Sequence, residues 1–424
     1  MINKEARIKG TPSCADSSEP GLLSAEDAEQ RISGLIKPLQ SPEYVDVRSA
    51  LGRTLAEDVL STINVPTHTN SAMDGYAINA QDIPASGFAA LTLAGTALAG
   101  NPYTGSVSTG QCIRIMTGAK LPDGCDTVIM QEQVEASGDT VRIDAHHRAG
   151  QNVRQAGEDL SVGQLAIPAG KCITPADLGL LASMGMGEVS VSRRLRVAFF
   201  STGDELRPVG TPLGDSEIYD SNRYTLYGML KRQGAELIDM GVVPDNRDAM
   251  TAAFGSAAKV ADIIITSGGV SVGEADYVKD IVRELGEVDF WKLAIKPGRP
   301  LAFGTLGDAV FFGLPGNPVA VMVTFYQFVQ PAMRYMLGQK DIRPHRFQVT
   351  CTSRIRKRPG RTEYQRGRLE ISREGNLEVS LTGAQGSGIL SSMSTANCFI
   401  VLPAESSTIE AGEPVWVEPF EALV

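Results

Sequence analysis

In SAEDAEQRISGLI, residues 24–36, the positions Ala25, Ala28, Ile32, Leu35 and Ile36 fall on one helical face, and Ser24 stands where an N-cap would. From about 61 to 163 that period disappears. Glycine and proline recur every few residues, and the apolar runs shorten to segments such as CIRIMTG and DTVIMQEQVE, which predicts a compact β-rich domain. TPADLGLLASMG restores the helical period, with Thr174 as cap, Pro175 at the first helical position and Gly185 just past the end.

From residue 195 strands and helices alternate. LRVAFFSTGDEL, AELIDMGVVPDN and ADIIITSGG are apolar strands that run into polar loops. SNRYTLYGMLKRQG, RDAMTAAFGSAAKV and DYVKDIVRELG have helical spacing, with Leu226 and Leu230 on one face of the first and Val278, Ile281, Val282 and Leu285 on one face of the third. Two more strands, PLAFGTL and AVFFGLPG, precede a long helix, VAVMVTFYQFVQPAMRYML. Strands apolar on both faces, alternating with helices, predict a mostly parallel sheet covered on both sides. After 343 the alternation of Phe347, Val349 and Cys351, and of Val415 and Val417, predicts a small barrel or sandwich. The expected fold class is thus multidomain α/β plus β. A disordered tail is expected at 1–21, and a linking region at 22–60 and 164–194, whose first helix docks on the α/β domain. The β-rich domain is expected over 61–163, the α/β sandwich over 195–342 and a C-terminal β-barrel domain over 343–424.

The 424 residues exceed one ordinary core, in keeping with several domains. A net charge of -10 argues against nucleic acid as the main partner, because that binding is driven by phosphate neutralisation. No apolar run approaches the ~18 residues of a membrane span, and the opening residues have no apolar core of a secretory leader. The six cysteines form no C-x-x-C pair, and with only four histidines a Cys/His metal site is disfavoured. Idle thiols suit a reducing cytoplasm, which is the expected location.

Ligands of open α/β sheets bind outside the carboxyl ends of the strands. Three loops leave such ends here: STGDEL at 201–206, TSGGVSVGEAD at 266–276 and LPGNP at 314–318. Their glycines would let backbone N–H groups approach an anion, or simply turn the chain. Neither a Walker A motif nor a dinucleotide fingerprint follows a strand. The carboxylates Asp204, Glu205, Asp220, Asp245, Glu274 and Asp276 cluster along the same edge. They would repel a phosphate unless a hard cation such as Mg²⁺ lay between, or they are helix caps, a reading that applies most to Asp220 and Asp276. WKLAIKPGRP adds Lys292, Lys296 and Arg299, of which the last two can converge through the KPGRP turn. Seven basic residues lie between 351 and 370, against Glu363 and Glu370, as an oxyanion rim or a solvated surface. In NSAMDGYA, Asp74-Gly75 has the chemistry of a turn.

NSAMDGYA, IRIMTGA, GEDL, STGDEL, SGGVSVGEADY, KPGRPLAFG and GLPGNPV occur in that order from residue 70 onward. Together they resemble the MoeA family, the molybdopterin molybdenumtransferases, which includes the E domain of animal gephyrin. The resemblance implies a homodimer whose cleft joins the MogA-like α/β domain of one subunit to the β-rich domain of the other. It implies insertion of molybdenum from molybdate into adenylylated molybdopterin, with Mg²⁺ and release of AMP. Transient contact with a MogA-type adenylyltransferase and with molybdenum apo-enzymes is expected. The matching positions are Asp74, Thr117, Glu205, Asp245 and Asp276 as catalytic groups, with Asp245 and Asp276 toward the metal. Ser267, Gly268, Gly269, Ser271, Lys292, Lys296, Arg299, Pro315, Gly316, Asn317, Pro318, Arg366, Arg368 and Ser387 match substrate positions. Arg299 stands where the family usually has lysine, and Ala320 where it commonly has serine. A scaffold role, as in gephyrin, and the preceding adenylyl transfer are the competing readings.

Overall fold

The computed structural model describes residues 21–269 and 277–420. They fall into two compact units, one of residues 43–191 and one made of the segments on either side. In the second unit a six-stranded sheet has the spatial order Glu236–Val243, Arg196–Thr202, Ile263–Ser267, Ala309–Leu314, Pro300–Leu306 and Gly286–Lys292. The first four strands are parallel and the hairpin from 300 to 314 is antiparallel, so the sheet is mostly parallel as expected. Alternate residues serve opposite cores. Val197, Phe199, Ile263, Ile265 and Phe312 pack with helices Ala25–Leu35 and Ser221–Arg232, while Ala198, Phe200, Ile264 and Phe311 face helices Arg247–Val260 and Tyr277–Leu285. Arg196–Thr202 connects outward to Glu236–Val243 on one side, and its neighbour Ile263–Ser267 connects toward the other side. The crevice between them is the topological switch point where such sheets bind ligands.

Two helices depart from the pattern read in the sequence. Leu285 is 38 % exposed, because the helix stops there and Gly286 enters the next strand directly. The long C-terminal helix is interrupted by a π-helical turn, Phe325–Val329, just before Pro331. Proline has no N–H to return to the preceding turn and its ring crowds the carbonyl there, so the ladder widens.

Beyond residue 343 a ring of five strands closes on itself: Phe347–Cys351, Pro414–Pro419, Cys398–Leu402, Thr362–Ile371 and Leu377–Leu381, which returns to the first. This is a barrel rather than a sandwich. Ile295–Lys296, from the loop between two strands of the α/β sheet, pairs in parallel with Thr362 and Glu363 and adds a short strand to the barrel.

The unit 43–191 holds a six-stranded sheet in the order Thr127–Met130, Gly75–Ile78, Gln111–Ile115, Phe88–Ala97, Thr140–Asp144 and Glu135–Ser137. Its helix Pro175–Ser183 has the expected cap: Thr174 and Asp177 form a reciprocal capping box. Among the described residues Cys112, Cys125, Cys172, Cys351 and Cys398 form no disulfide, and burial pushes Cys125 and Cys398 up to about 12. Among the described residues no helix is long and apolar enough to cross a membrane.

Phe254 is fully buried and meets Phe200 and Phe311 edge-to-face, with ring centroids 5.1 and 5.6 Å apart. Phe254→Ala is expected to cost about 3–5 kcal/mol through lost burial and the cavity left. A denaturant titration checks this, and an unchanged midpoint would contradict it.

Candidate functional site

Three carboxyl-end loops of the α/β sheet come together at backbone distance. The N–H of Gly268 donates to the carbonyl of Leu314 at 3.2 Å. Gly268 has φ +94°, and a Cβ there would stand 2.8 Å from the Thr202 carbonyl oxygen; one on Gly269 would meet Val278 Cγ2 at 2.6 Å. A side chain at either place would push the loops apart. The clamp is Asn222, which the sequence reading missed. Its Nδ2 donates to Ser267 Oγ at 2.8 Å and to the Gly316 carbonyl at 2.7 Å. One amide thus ties the 267–269 loop to the LPGNP loop. Asn222 Oδ1 and Thr266 Oγ1 are buried without a hydrogen-bond partner among the described residues. Only the polar pair Ser221-Asn222, directly after the capping Asp220, could have signalled this residue.

The acids separate into different roles. Asp220, expected along the ligand edge, is 1 % exposed and caps helix Ser221–Arg232. It accepts from Ser201 Oγ at 2.9 Å and pairs with Arg223 Nε at 3.2 Å, so its charge is consumed inside the fold. Asp204, Glu205 and Asp245 do form a group. The N–H of Asp245 donates to Asp204 Oδ1 at 3.3 Å. Glu205 folds back over Gly203, where a Cβ would lie 2.5 Å from Glu205 Oε2. Burial, then the charges of Asp204 and Glu205, raise the Asp245 carboxyl above its ordinary value. Ser271, Glu274 and Asp276 lie outside the described residues.

Among the described residues no three His, Cys, Asp or Glu side chains come close enough to hold a metal ion by themselves. Hard carboxylate oxygens that repel one another beside a phosphate-type loop nevertheless fit Mg²⁺, which takes one or two carboxylates and completes its shell with water and substrate oxygens.

The basic loop is closed by a hydrogen bond from the Leu293 N–H to the Arg299 carbonyl at 2.7 Å. Lys292 is exposed at the end of its strand, opposite Pro300. Lys296 Nζ lies 3.2 Å from Glu363 Oε1, an ion pair the sequence reading did not foresee. Ala320 is 3 % exposed in the helix beneath this loop, and its carbonyl accepts from Thr324 Oγ1 at 2.8 Å. A Cβ on Gly298 would meet Thr324 Cγ2 at 2.8 Å.

Arg366 is held within the fold. It is 1 % exposed, and burial lowers its pKa to about 10. Its Nε donates to Ser392 Oγ at 3.0 Å and its Nη2 to the Gly386 carbonyl at 3.1 Å, so it braces the 383–389 loop from within. Ser387, on that loop, accepts the Val319 N–H at 3.1 Å. This sets the barrel loop against the LPGNP turn, Pro315 to Pro318, whose Asn317 makes no capping hydrogen bond with its side chain. Arg368 is exposed and paired with Glu370.

In the unit 43–191, Asp74 Oδ1 accepts both the N–H and the Oγ–H of Thr117, each at 2.7 Å. These bonds, aided by Arg114, hold the carboxyl below its ordinary value. Asp74-Gly75 does not turn a hairpin. Gly75 begins a strand, and a Cβ on it would fall 2.0 Å from the Ile129 carbonyl oxygen, so glycine is needed for close strand packing. Arg114, also missed, lies over the Tyr76 ring with its Cζ 5.1 Å from the centroid and donates to the Tyr76 hydroxyl at 3.0 Å.

Family descriptions match most of the chain. They are the MoeA N-terminal region (domain I and II) over residues 23–185, a probable molybdopterin binding domain over 198–335 and the MoeA C-terminal region (domain IV) over 348–420. The molybdopterin molybdenumtransferase of Haemophilus influenzae is 45% identical over 93% of this chain and 99% of its own length. Gephyrin of Dictyostelium discoideum is 34% identical over 88% of this chain and 58% of its own. The crystal structure of a molybdopterin biosynthesis moeA protein from Pyrococcus horikoshii superposes with a TM-score of 0.83 at 29% identity, covering 94% of this chain and 100% of that one.

A carboxyl whose pKa is raised by folding favours the fold only at low pH, and loses that contribution as pH rises through the raised value. Asp245→Asn is therefore expected to melt at a higher temperature than the parent at pH 7 without magnesium. The gain should vanish as pH falls below the ordinary aspartate value of about 4. Thermal melts across that range test it, and an equal or lower melting temperature at pH 7 would contradict it.

Proposed function

Since the chain belongs to the MoeA family and is a molybdopterin molybdenumtransferase of molybdenum cofactor biosynthesis, we propose that its substrates are adenylylated molybdopterin and molybdate. Cleavage of the phosphoanhydride releases AMP as molybdenum enters the dithiolene. The observation that carries this reading is the cradle of loops closed by Asn222 beside the mutually repelling Asp204, Glu205 and Asp245. A loop that favours an anion next to acids that need a cation suits a phosphate delivered with Mg²⁺.

In this reading Ser267, Gly268, Gly269 and Ser271 hold the phosphate side of the pterin substrate, and the Pro315–Pro318 turn contributes to the same site. Asp245 and Asp276 would hold Mg²⁺, which when bound neutralises charge that builds on the phosphoanhydride oxygens. Asp245 and Asp276 also handle the attacking water, with Glu205 a further acid of the cleft. Asp74, kept ionised by Thr117, is too weak a base to take a proton readily and serves to orient and to fix charge. Lys296 and Arg299 meet the molybdate dianion, with Ser387 nearby on the loop that Arg366 braces. Asp74 and Thr117 act from the partner subunit of a cytoplasmic homodimer. Substrate arrives from a MogA-type adenylyltransferase and product passes to molybdenum apo-enzymes.

The test is AMP release from adenylylated molybdopterin with and without molybdate. Release is expected to require both molybdate and Mg²⁺, and Asp276→Asn to lower turnover by about 10²-fold or more while leaving the fold intact. Full-rate release without molybdate would overturn the insertion reading, and persistent turnover in Asp276→Asn would reduce Asp276 to a helix cap.

A further inference from the structure

Glu363 is 6 % exposed, the second residue of the barrel strand Thr362–Ile371, and a buried carboxylate is costly unless both its oxygens are engaged. Both are. Oε2 accepts from Gln365 Nε2 at 2.7 Å and Oε1 accepts from Lys296 Nζ at 3.2 Å. The backbone fixes this meeting, for Lys296 stands opposite Glu363 in the short parallel pairing, and the Thr362 N–H donates to the Ala294 carbonyl at 2.9 Å. The neighbouring Lys357 has no such freedom. Its ammonium is held by the carbonyls of Arg358, Ala404 and Ser406 at 3.0–3.3 Å. Lys296 differs in having a half-exposed side chain, 51% against 7% for Glu363. An ammonium has three donors, and Glu363 occupies one. Among the described residues no other side chain is shown holding this ammonium, so the remaining donors stand available to an anion on a flexible stem.

We infer that Glu363 is the positioning residue for Lys296: from the barrel it anchors the ammonium that meets the oxyanion substrate. The inference rests on the reading of Lys296 as a molybdate contact. Removal of the carboxylate frees the lysine to swing into solvent, so loss should appear in oxyanion affinity rather than in the chemical step.

The experiment measures molybdate binding by equilibrium dialysis, and the molybdate KM and kcat in AMP release, on the full chain. Lys296→Ala, Glu363→Ala, Glu363→Gln and Glu363→Asp are compared. Glu363→Ala is expected to weaken molybdate binding and raise its KM about tenfold, with kcat within about twofold of the parent. Glu363→Asp should recover most of the affinity, and Glu363→Ala should add little once Lys296 is alanine, because the two act as one unit. If Glu363→Ala fails to fold, the near-isosteric Glu363→Gln carries the test, with a KM rise of about threefold or more expected. A molybdate affinity unchanged in the Glu363 variants but weakened in Lys296→Ala overturns the inference alone. An affinity unchanged in Lys296→Ala overturns the oxyanion reading of Lys296 and the inference with it.

Discussion

The site depends on one side-chain amide. Asn222 Nδ2 spans Ser267 Oγ and the Gly316 carbonyl and thereby closes two strand-end loops on each other. Everything around it follows from that closeness. Gly268 and Gly269 have to be glycine on two counts, since both take left-handed backbone and a Cβ on them would meet Thr202 and Val278. Asp220 is withdrawn from the ligand edge because it must cap the helix that carries Asn222. The parallel sheet supplies the place and the helix start supplies the clamp.

Charge in this unit falls into two sets. Asp204, Glu205 and Asp245 raise one another's cost of ionisation, which would make them receptive to a cation. Lys292, Lys296 and Arg299 lie along the loop that closes between Leu293 and Arg299. The barrel takes part in the second set through the pairing of Ile295–Lys296 with its strand, and through the loop at Ser387 that meets the helix start at Val319. The C-terminal barrel is thus tied to the α/β domain at the positions where an anion would be handled.

What the sequence made legible was local. The Thr174 cap, the helix faces at Leu226 and Leu230 and the doubly apolar strands all depend on neighbours a few residues away. The order of the glycine loops pointed to the right edge of the right sheet. What stayed hidden depends on long-range pairing. Asn222 reaches partners 45 and 94 residues on, and Lys296 meets Glu363 across 67. No spacing rule announces such contacts. The sequence left Asp220 open between a cap and a ligand acid, with the cap favoured by the helix that follows, and its burial and partners decide for the cap. Gly75 looked like turn chemistry, yet its need is contact with the Ile129 carbonyl of the next strand. Arg366 matches a substrate position by resemblance and lies in a basic run, and neither signal carries information about its burial or its bonds to Ser392 and Gly386.

The central claim, that the loops joined by Asn222 form the substrate cradle, is tested most directly by the affinity of adenylylated molybdopterin for Asn222→Ala. Two neutral hydrogen bonds of about 1 kcal/mol each would be lost, and affinity should fall by about tenfold or more in a protein that still folds. A folded Asn222→Ala protein that binds this substrate as tightly as the parent would contradict the account.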